Sequence, residues 1–458
     1  MIPARLQPVL DEVRPLAEAF EAAGARLYLV GGIVRDQLLG LELSEAADID
    51  LTTDALPART REIVGPLASA VWTQGERFGT IGANVGGRVV EITTHRAEAY
   101  RPDSRKPDVQ FSTRVETDLS RRDFTVNAMA LSVPEPQLVD PFDGAADLAA
   151  GRLRTPLSPD ESFTDDPLRM LRAARFIAGY GLEPDEGLLD AVKRLAGRIE
   201  IVSAERVRDE LDKLLVVPDP SAGLWFLVGT GLADHILPEL PAMRLEQDPI
   251  HHHKDVLAHT IAVVAKTSAR KRLRLAALLH DVGKPNTREF GPKGVSFHHH
   301  EVVGARMARD RLRALRYAND DVDAISRLVY LHLRFHTYSM GWTDSAVRRF
   351  VTDAGPLLTD LLELTRCDCT TRNQRKVRAL ERRMDELEAR IEELREREEL
   401  ASIRPDLDGD AVMAHLGIAP GPEVGEALRY LLELRLDEGP LGTEEATRRL
   451  DAWWSARP

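Results

Sequence analysis

Short apolar runs with strand-like alternation fill the first 140 or so residues, and helical spacing takes over after them. Leu27-Tyr28-Leu29-Val30 reads as a short buried strand, Gly31-Gly32 as a tight turn, and Ile33 to Leu39 as a helix. In Asp48-Ile49-Asp50-Leu51, strand alternation sends Ile49 and Leu51 to the core and both aspartates to the opposite face. Arg88 to Thr94 alternates in the same way, with Glu91 on the face away from Val90 and Ile92.

Leu138 to Gly144 is a turn-rich junction, and a helical segment follows. Pro167 suits a first helical position, which makes Asp166 the N-cap. Behind them Arg169, Arg172 and Arg175 recur every three residues as one cationic stripe, while Leu168, Leu171 and Ile177 supply apolar contacts. Ser203 to Leu211 reads as a structural helix, Gly223 to Leu237 closes the segment, and Pro238 and Pro241 mark its end. Farther on, the apolar run Leu275 to Leu279 ends at His280-Asp281 and is stopped by Gly283-Lys284-Pro285. Val377, Leu380, Met384, Leu387, Ile391 and Leu394 form a heptad-like seam, read as one arm of an intramolecular helical hairpin.

The pattern predicts an α+β chain: a mixed-sheet head over residues 1–140, then helical segments over 141–241, 242–370 and 371–458. With 458 residues, 43% of them hydrophobic, the chain can bury several cores. No apolar run reaches the roughly 18 residues of a membrane span, and Met1 to Arg5 lacks a secretory pattern, so the expectation is a cytoplasmic protein with no membrane partner. The two cysteines, Cys367 and Cys369, are expected to be free thiols. A net charge of −13 does not itself point to nucleic acid, but a local basic face is compatible with it.

Several constellations carry chemistry. Asp48 and Asp50 on one strand face can clamp divalent ions that polarise a phosphoryl group. Gly31 and Gly32 before a helix N-terminus make a phosphate cradle, with Arg35 in the first turn able to fork onto phosphate oxygens. Glu91 is either a third carboxylate beside the pair or a charge on a solvent face; both readings stand. His251 to His253 and His298 to His300 offer more imidazoles than a site needs.

The combination Val30-Gly31-Gly32-Ile33-Val34-Arg35-Asp36, then Asp48-Ile49-Asp50, then Arg122-Asp123-Phe124-Thr125-Val126-Asn127-Ala128-Met129 resembles the bacterial class II tRNA CCA-adding nucleotidyltransferases and their relatives, the bacterial poly(A) polymerases. The resemblance implies a polymerase-β-like head, a helical nucleotide-selecting neck, an HD domain and a helical tRNA-binding tail. It places Arg122 and Asp123 at the incoming nucleotide, where they favour ribose, and Asp166 and Arg169 at the edge of its base, with Arg172 and Arg175 as further nucleotide contacts. An Asp accepts from the exocyclic amine that cytosine and adenine share, and Arg donates to a ring acceptor. The family usually has Glu where this chain has Asp165. Arg101 to Asp108 resembles the flexible loop associated with adding the final A.

His259, His280-Asp281, His300, His332 and Asp368 follow the order of metal ligands in HD-domain phosphohydrolases, with His300 preferred over His299 and His332 over His336. Imidazole and carboxylate suit Mg, Mn, Fe, Ni or Zn, so the metal identity stays open. The implied reaction is template-independent addition of CCA to tRNA 3′ ends from CTP and ATP, by two-metal transfer with Mg2+ at Asp48 and Asp50 and release of pyrophosphate. The HD domain is expected to hold a divalent metal and to add phosphohydrolase chemistry. A poly(A) polymerase, a CC-only or A-only enzyme, and an HD hydrolase or RNA-binding scaffold remain as alternatives.

Overall fold

The computed structural model describes residues 4–42, 48–101, 104–245, 255–291, 294–337, 341–370, 373–398 and 403–457; side chains of 98–109 fall outside this description. His251 to His253, Pro102 and Asp103 are therefore outside the described residues. The chain forms two compact units, Met1–Pro238 and Glu239–Pro458.

The strands of the first unit are β1 (Leu27–Val30), β2 (Ile49–Thr53), β3 (Ala68–Trp72), β4 (Thr80–Val85), β5 (Arg88–Thr94), β6 (Arg96–Arg101), β7 (Ser104–Phe111), β8 (Ala130–Val133), β9 (Leu138–Val139), β10 (Arg152–Leu153) and β11 (Glu183–Pro184). Seven of them build one mixed sheet in the order β3-β4-β5-β2-β1-β8-β9. Its parallel pair is β2–β5, which sets Asp50 directly against Glu91. Alternation works as the sequence indicates: Ile49, Leu51, Val90 and Ile92 are buried, and the carboxylates between them point the other way. Arg101 and Ser104 to Asp108 belong to the antiparallel pair β6–β7.

His95, completely buried, stands between β5 and β6 in the chain and bonds to β2 in the interior of this sheet. Thr52 Oγ1 donates to the Thr93 carbonyl at 2.8 Å, so it accepts from His95 Nδ1–H, also at 2.8 Å. His95 Nε2 meets no partner among the described residues, and burial pushes the imidazole down to about 4.

The helices Leu168–Tyr180, Ala204–Leu215 and Ser221–Gly229 pack together as the helical half of the first unit. Their contact faces carry Met170, Leu171, Ala174, Leu211, Leu214, Leu224 and Leu227, all nearly or fully buried.

Among its described residues the second unit is helical apart from the antiparallel pair β12 (Arg288–Gly291) and β13 (Gly294–Phe297). Gly283 lets this unit close on itself: a Cβ there would stand 2.2 Å from the His300 carbonyl oxygen. Met384, Leu387, Ile391 and Leu394 of the Gln374–Arg397 helix are buried against helices Asp344–Ala354 and Leu358–Asp368, so the seam is intramolecular. Half-buried Glu398 accepts from Arg348 at 2.8 Å and from Arg435 at 3.1 Å, tying the Pro422–Glu438 helix to the Asp344–Ala354 helix. Cys367 and Cys369 are free thiols. No helix among the described residues is long and apolar enough to cross a membrane.

Candidate functional site

In the first unit, the loop after β1, the carboxylate faces of β2 and β5, the Arg121–Asn127 segment and the starts of two neck helices surround a polar cleft of about 370 Å³. Gly31, Gly32, Asp50, Glu91, Arg122, Asp123, Asp166, Arg169 and Arg172 line it. Asp48 stands just ahead of β2. Withdrawal from water raises the Asp50 carboxyl above its ordinary value, the nearby Glu91 and Asp48 push the same way, and Arg122 opposes them. Carboxylates that repel one another at one wall of the cleft could hold a divalent cation.

Gly31 adopts φ +72°, and a Cβ there would lie 3.0 Å from Arg122 Nη1 and 3.8 Å from Asp50 Oδ2. A side chain would therefore meet both backbone strain and the arginine. Buried Asp118 pairs with Arg121 at 2.7 Å and with Arg122 at 3.2 Å. Arg122 Nε has no partner among the described residues, so this guanidinium retains donor capacity beside the glycines.

Other arginines are already committed. Arg35, expected at phosphate, is turned inward and only 6% exposed: Nη1 donates to Asn127 Oδ1 at 2.5 Å, Nη2 donates to the Tyr180 hydroxyl at 2.5 Å, and its guanidinium carbon lies 4.2 Å from the Tyr180 ring centroid. These bonds join the glycine-turn helix to the neck helix. Arg175, expected as a nucleotide contact, is likewise absent from the cleft lining and bonds Glu210 at 2.8 Å. The arginine stripe is thus split among partners, since Arg172 reaches Asp123 through Nε at 2.8 Å. Asp123 spends its other oxygen on the Phe124 N–H and on Asn127, both at 2.9 Å. Burial opposes ionisation of Asp123, but Arg172 and Asn127 outweigh it and hold the carboxyl well below the usual range.

The helix begins at Leu168 with Pro167 at the N-cap, one residue later than the sequence placed it, so Asp166 stands just ahead of the cap and closes the preceding helix. One carboxylate oxygen accepts from the Leu168 N–H at 3.2 Å, and the other pairs with Arg206 at 3.0 Å. Arg169 donates to Ser162 Oγ at 2.8 Å and to the Arg121 carbonyl. Asp118, Asn127, Arg206 and Glu210 were not singled out from sequence. Arg206 and Glu210 had a usable signal: four residues apart in a helix, they share the face presented to Asp166 and the arginines.

The second unit brings all six predicted HD residues together. His259 comes from helix Val256–Lys266, His280 and Asp281 follow helix Lys271–Leu279, and His300 opens helix His300–Ala314. His332 caps helix Asn319–Leu331, and Asp368 ends helix Leu358–Asp368. Two adjacent groups of donors, His259/His280/Asp368 and Asp281/His300/His332, could each hold a metal ion. Asp281 links them, 3.3 Å from His280 Nε2 through one oxygen and 3.4 Å from His300 Nε2 through the other. Exposed His299 lies outside the cluster with φ +60°, and His336 lies on a separate turn.

Every clustered imidazole is oriented through Nδ1. Carbonyls of Ala277, Phe297 and Val329 accept from His280, His300 and His332 at 2.7, 2.7 and 2.6 Å, and His259 Nδ1 meets the Thr370 hydroxyl at 2.7 Å. Each Nε2 is thereby presented to the centre, where that of His300 faces Asp281 and that of His332 meets no hydrogen-bond partner among the described residues. This donor set fits a divalent metal. Burial disfavours charge on both His280 and His332; Asp281 and Asp368 nevertheless hold His280 up at about 10, whereas neighbouring His280 helps push His332 down to about 3.

Family comparison matches residues 27–154 to the poly A polymerase head domain, residues 181–243 to the "Probable RNA and SrmB- binding site of polymerase A", and residues 251–401 to the HD domain. The A-adding tRNA nucleotidyltransferase of Deinococcus radiodurans is 34% identical, over 93% of this chain and 95% of its own. The CC-adding tRNA nucleotidyltransferase of Thermus thermophilus is also 34% identical, over 93% of both chains. The crystal structure of Bacillus stearothermophilus CCA-adding enzyme with CTP shares the fold, with TM-score 0.69, 22% identity and 99% of each chain covered. The chain belongs to the tRNA nucleotidyltransferase and poly(A) polymerase family, in the form that carries an HD domain.

Proposed function

We propose that this chain adds CCA to tRNA 3′ ends from CTP and ATP, with the chemistry in the head cleft. The observation that carries the reading is the facing of Asp50 and Glu91, in register on β2 and β5, by Arg122 and by the Asp166 and Arg169 helix start around one cleft. Asp48 and Asp50, with Glu91 beside them, form the Mg2+ site. A bound Mg2+ supplies charge neutralisation at the phosphates and favours the deprotonated attacking hydroxyl. Backbone N–H groups at Gly31 and Gly32 and the spare donors of Arg122 receive the triphosphate. Asp123 acts through Arg172, which it holds in place; direct acceptance from the ribose 2′-OH requires an exchange of its partners. Asp166 and Arg169 read the base. The tRNA 3′-OH attacks the α-phosphorus, its proton is lost, and pyrophosphate leaves.

A narrower reading, addition of CC alone or A alone, is favoured by one observation: two relatives that span nearly the whole chain are an A-adding and a CC-adding enzyme at equal identity. The test is to incubate purified protein with tRNA lacking CCA, ending in C, or ending in CC, with each labelled nucleotide. Sequential CC then A incorporation is expected. CC or A alone overturns CCA addition in favour of the narrower reaction, and a poly(A) product overturns both.

We read the HD cluster as a divalent-metal site for phosphoester hydrolysis, with His259, His280, Asp281, His300, His332 and Asp368 as ligands. Its support is the common orientation of four Nε2 atoms towards two carboxylates.

A further inference from the structure

The β12–β13 hairpin occupies the chain between the His280-Asp281 pair and His300. Antiparallel pairing sets Arg288 opposite Phe297 and Phe290 opposite Val295. Cross-strand partners and residues two apart share a sheet face, so Arg288, Phe290 and Phe297 lie together, while Glu289 alternates away. Phe290 is 72% exposed, and the Arg288 guanidinium carbon lies 4.7 Å from its ring centroid. Lys284 Nζ lies 5.7 Å from the Phe297 ring centroid and 2.6 Å from Asp281 Oδ2. The result is a continuous ribbon of aromatic, cation, aromatic and cation, ending on the carboxylate that links the two halves of the cluster. Phe297 belongs to both, since its ring is in the ribbon and its carbonyl fixes His300 Nδ1.

We propose that this hairpin is the binding ribbon for a single-stranded RNA end, with a base stacked on Phe290 and the terminal phosphoester directed into the HD cluster. The occupant follows from the alternation. Bases need flat apolar partners and backbone phosphates need cations between them, and every base has a face that can stack. A simple phosphomonoester would use the cluster and leave the exposed Phe290 without a role. The proposal rests on the phosphohydrolase reading for its chemistry, in which water adds to phosphorus, one P–O bond breaks and the departing ribose oxygen takes a proton.

The test uses the full chain supplied with Mg2+, Mn2+, Ni2+ or Co2+, and two probes: an RNA hexamer ending in a 2′,3′-cyclic phosphate, and glycerol cyclic phosphate, which has no base. Phe290→Ala should raise KM for the hexamer about tenfold at unchanged kcat, a typical loss for one base stack. It should leave glycerol cyclic phosphate untouched, and Phe290→Trp should restore the hexamer. A hexamer KM within twofold of wild type, or an equal change on both probes, overturns the ribbon. Should the wild type cleave neither probe, the hydrolase reading fails by itself, and photocrosslinking of a 4-thiouridine hexamer judges the ribbon. Adducts on β12–β13 that vanish in Phe290→Ala uphold it, and adducts confined elsewhere overturn it.

Discussion

The head cleft and the HD cluster both gather carboxylates and cationic or ionisable nitrogen groups, but they are prepared in opposite ways. In the cleft, most polar groups already hold one another: Asp123 with Arg172, Asp166 with Arg206, and Arg169 with Ser162 and the Arg121 carbonyl. In the cluster, each imidazole is held from behind by a carbonyl or hydroxyl, and the nitrogens in front converge. The first arrangement must exchange partners when a substrate enters, whereas the second keeps its outer bonds and presents a ligand set. Versatile recognition and fixed coordination thus follow from where the hydrogen bonds are spent.

The largest expected effect separates the two. His280→Ala combined with Asp281→Ala should take HD metal content to background and leave nucleotide addition near wild type, because the two sets of residues lie in different compact units. Elemental analysis alongside incorporation assays would show it, and retained metal would remove the cluster from the comparison. Asp50→Asn is the converse change. Loss of a charge that stabilises the transition state should slow incorporation of CTP and ATP by about 10²–10³-fold without altering HD metal content. Turnover within a few-fold of wild type would show that β2 does not carry the chemistry.

Buried histidines sharpen the contrast through pH. His95 and His280 are similarly buried, but His280 faces two carboxylates and is held up at about 10, while His95 lacks such direct pairing and lies at about 4. Since the folded-state value of His95 is below its unfolded value, the unfolded chain binds the extra proton first. The stability it contributes is present above pH ~6.5 and lost as pH falls towards 4, a change of about 3 kcal/mol at most. Hydrogen exchange of β1 and β2 across this range should show the decline, and His95→Asn should flatten it. A wild-type profile that is already flat would contradict the burial argument.

The smallest effect concerns base choice. Asp166→Ala and Arg169→Ala should each relax discrimination against UTP and GTP by roughly 1–3 kcal/mol, the worth of a directional base contact. Arg206→Gln should shift selectivity less, since it frees one Asp166 oxygen and leaves the cap bond from Leu168. Single-nucleotide kinetics on folded variants distinguish these cases. If Asp166→Ala changes stability alone, the residue caps its helix and does not read bases.

Local alternation was enough to place β1, β2 and β5 and to put Asp50 and Glu91 on one face, because strand period and burial are properties of neighbouring residues. Motif resemblance similarly identified the HD residues that the fold collects. What could not be read was pairing across long separations. Nothing nearby in sequence indicates that Asn127 and Tyr180 surround Arg35. Arg175 looked like part of an available stripe because Glu210 arrives from another helix. Charge spacing reveals a helix face, but only tertiary contacts reveal which charges on that face are already taken.

The parallel pairing of β2 with β5 has one further consequence. Strands that run the same way cannot be joined by a tight hairpin, so the chain leaves Thr53, makes the Pro57–Val64 helix, β3 and β4, and returns at Arg88. Facing of Asp50 and Glu91 is fixed by the ladder, independent of the length of that excursion. Insertions and deletions in its exposed turns should therefore be tolerated, whereas a one-residue slip of β5 would turn Glu91 into the core and Ile92 into the cleft. The head can drift in size over evolutionary time while its carboxylate geometry stays constant.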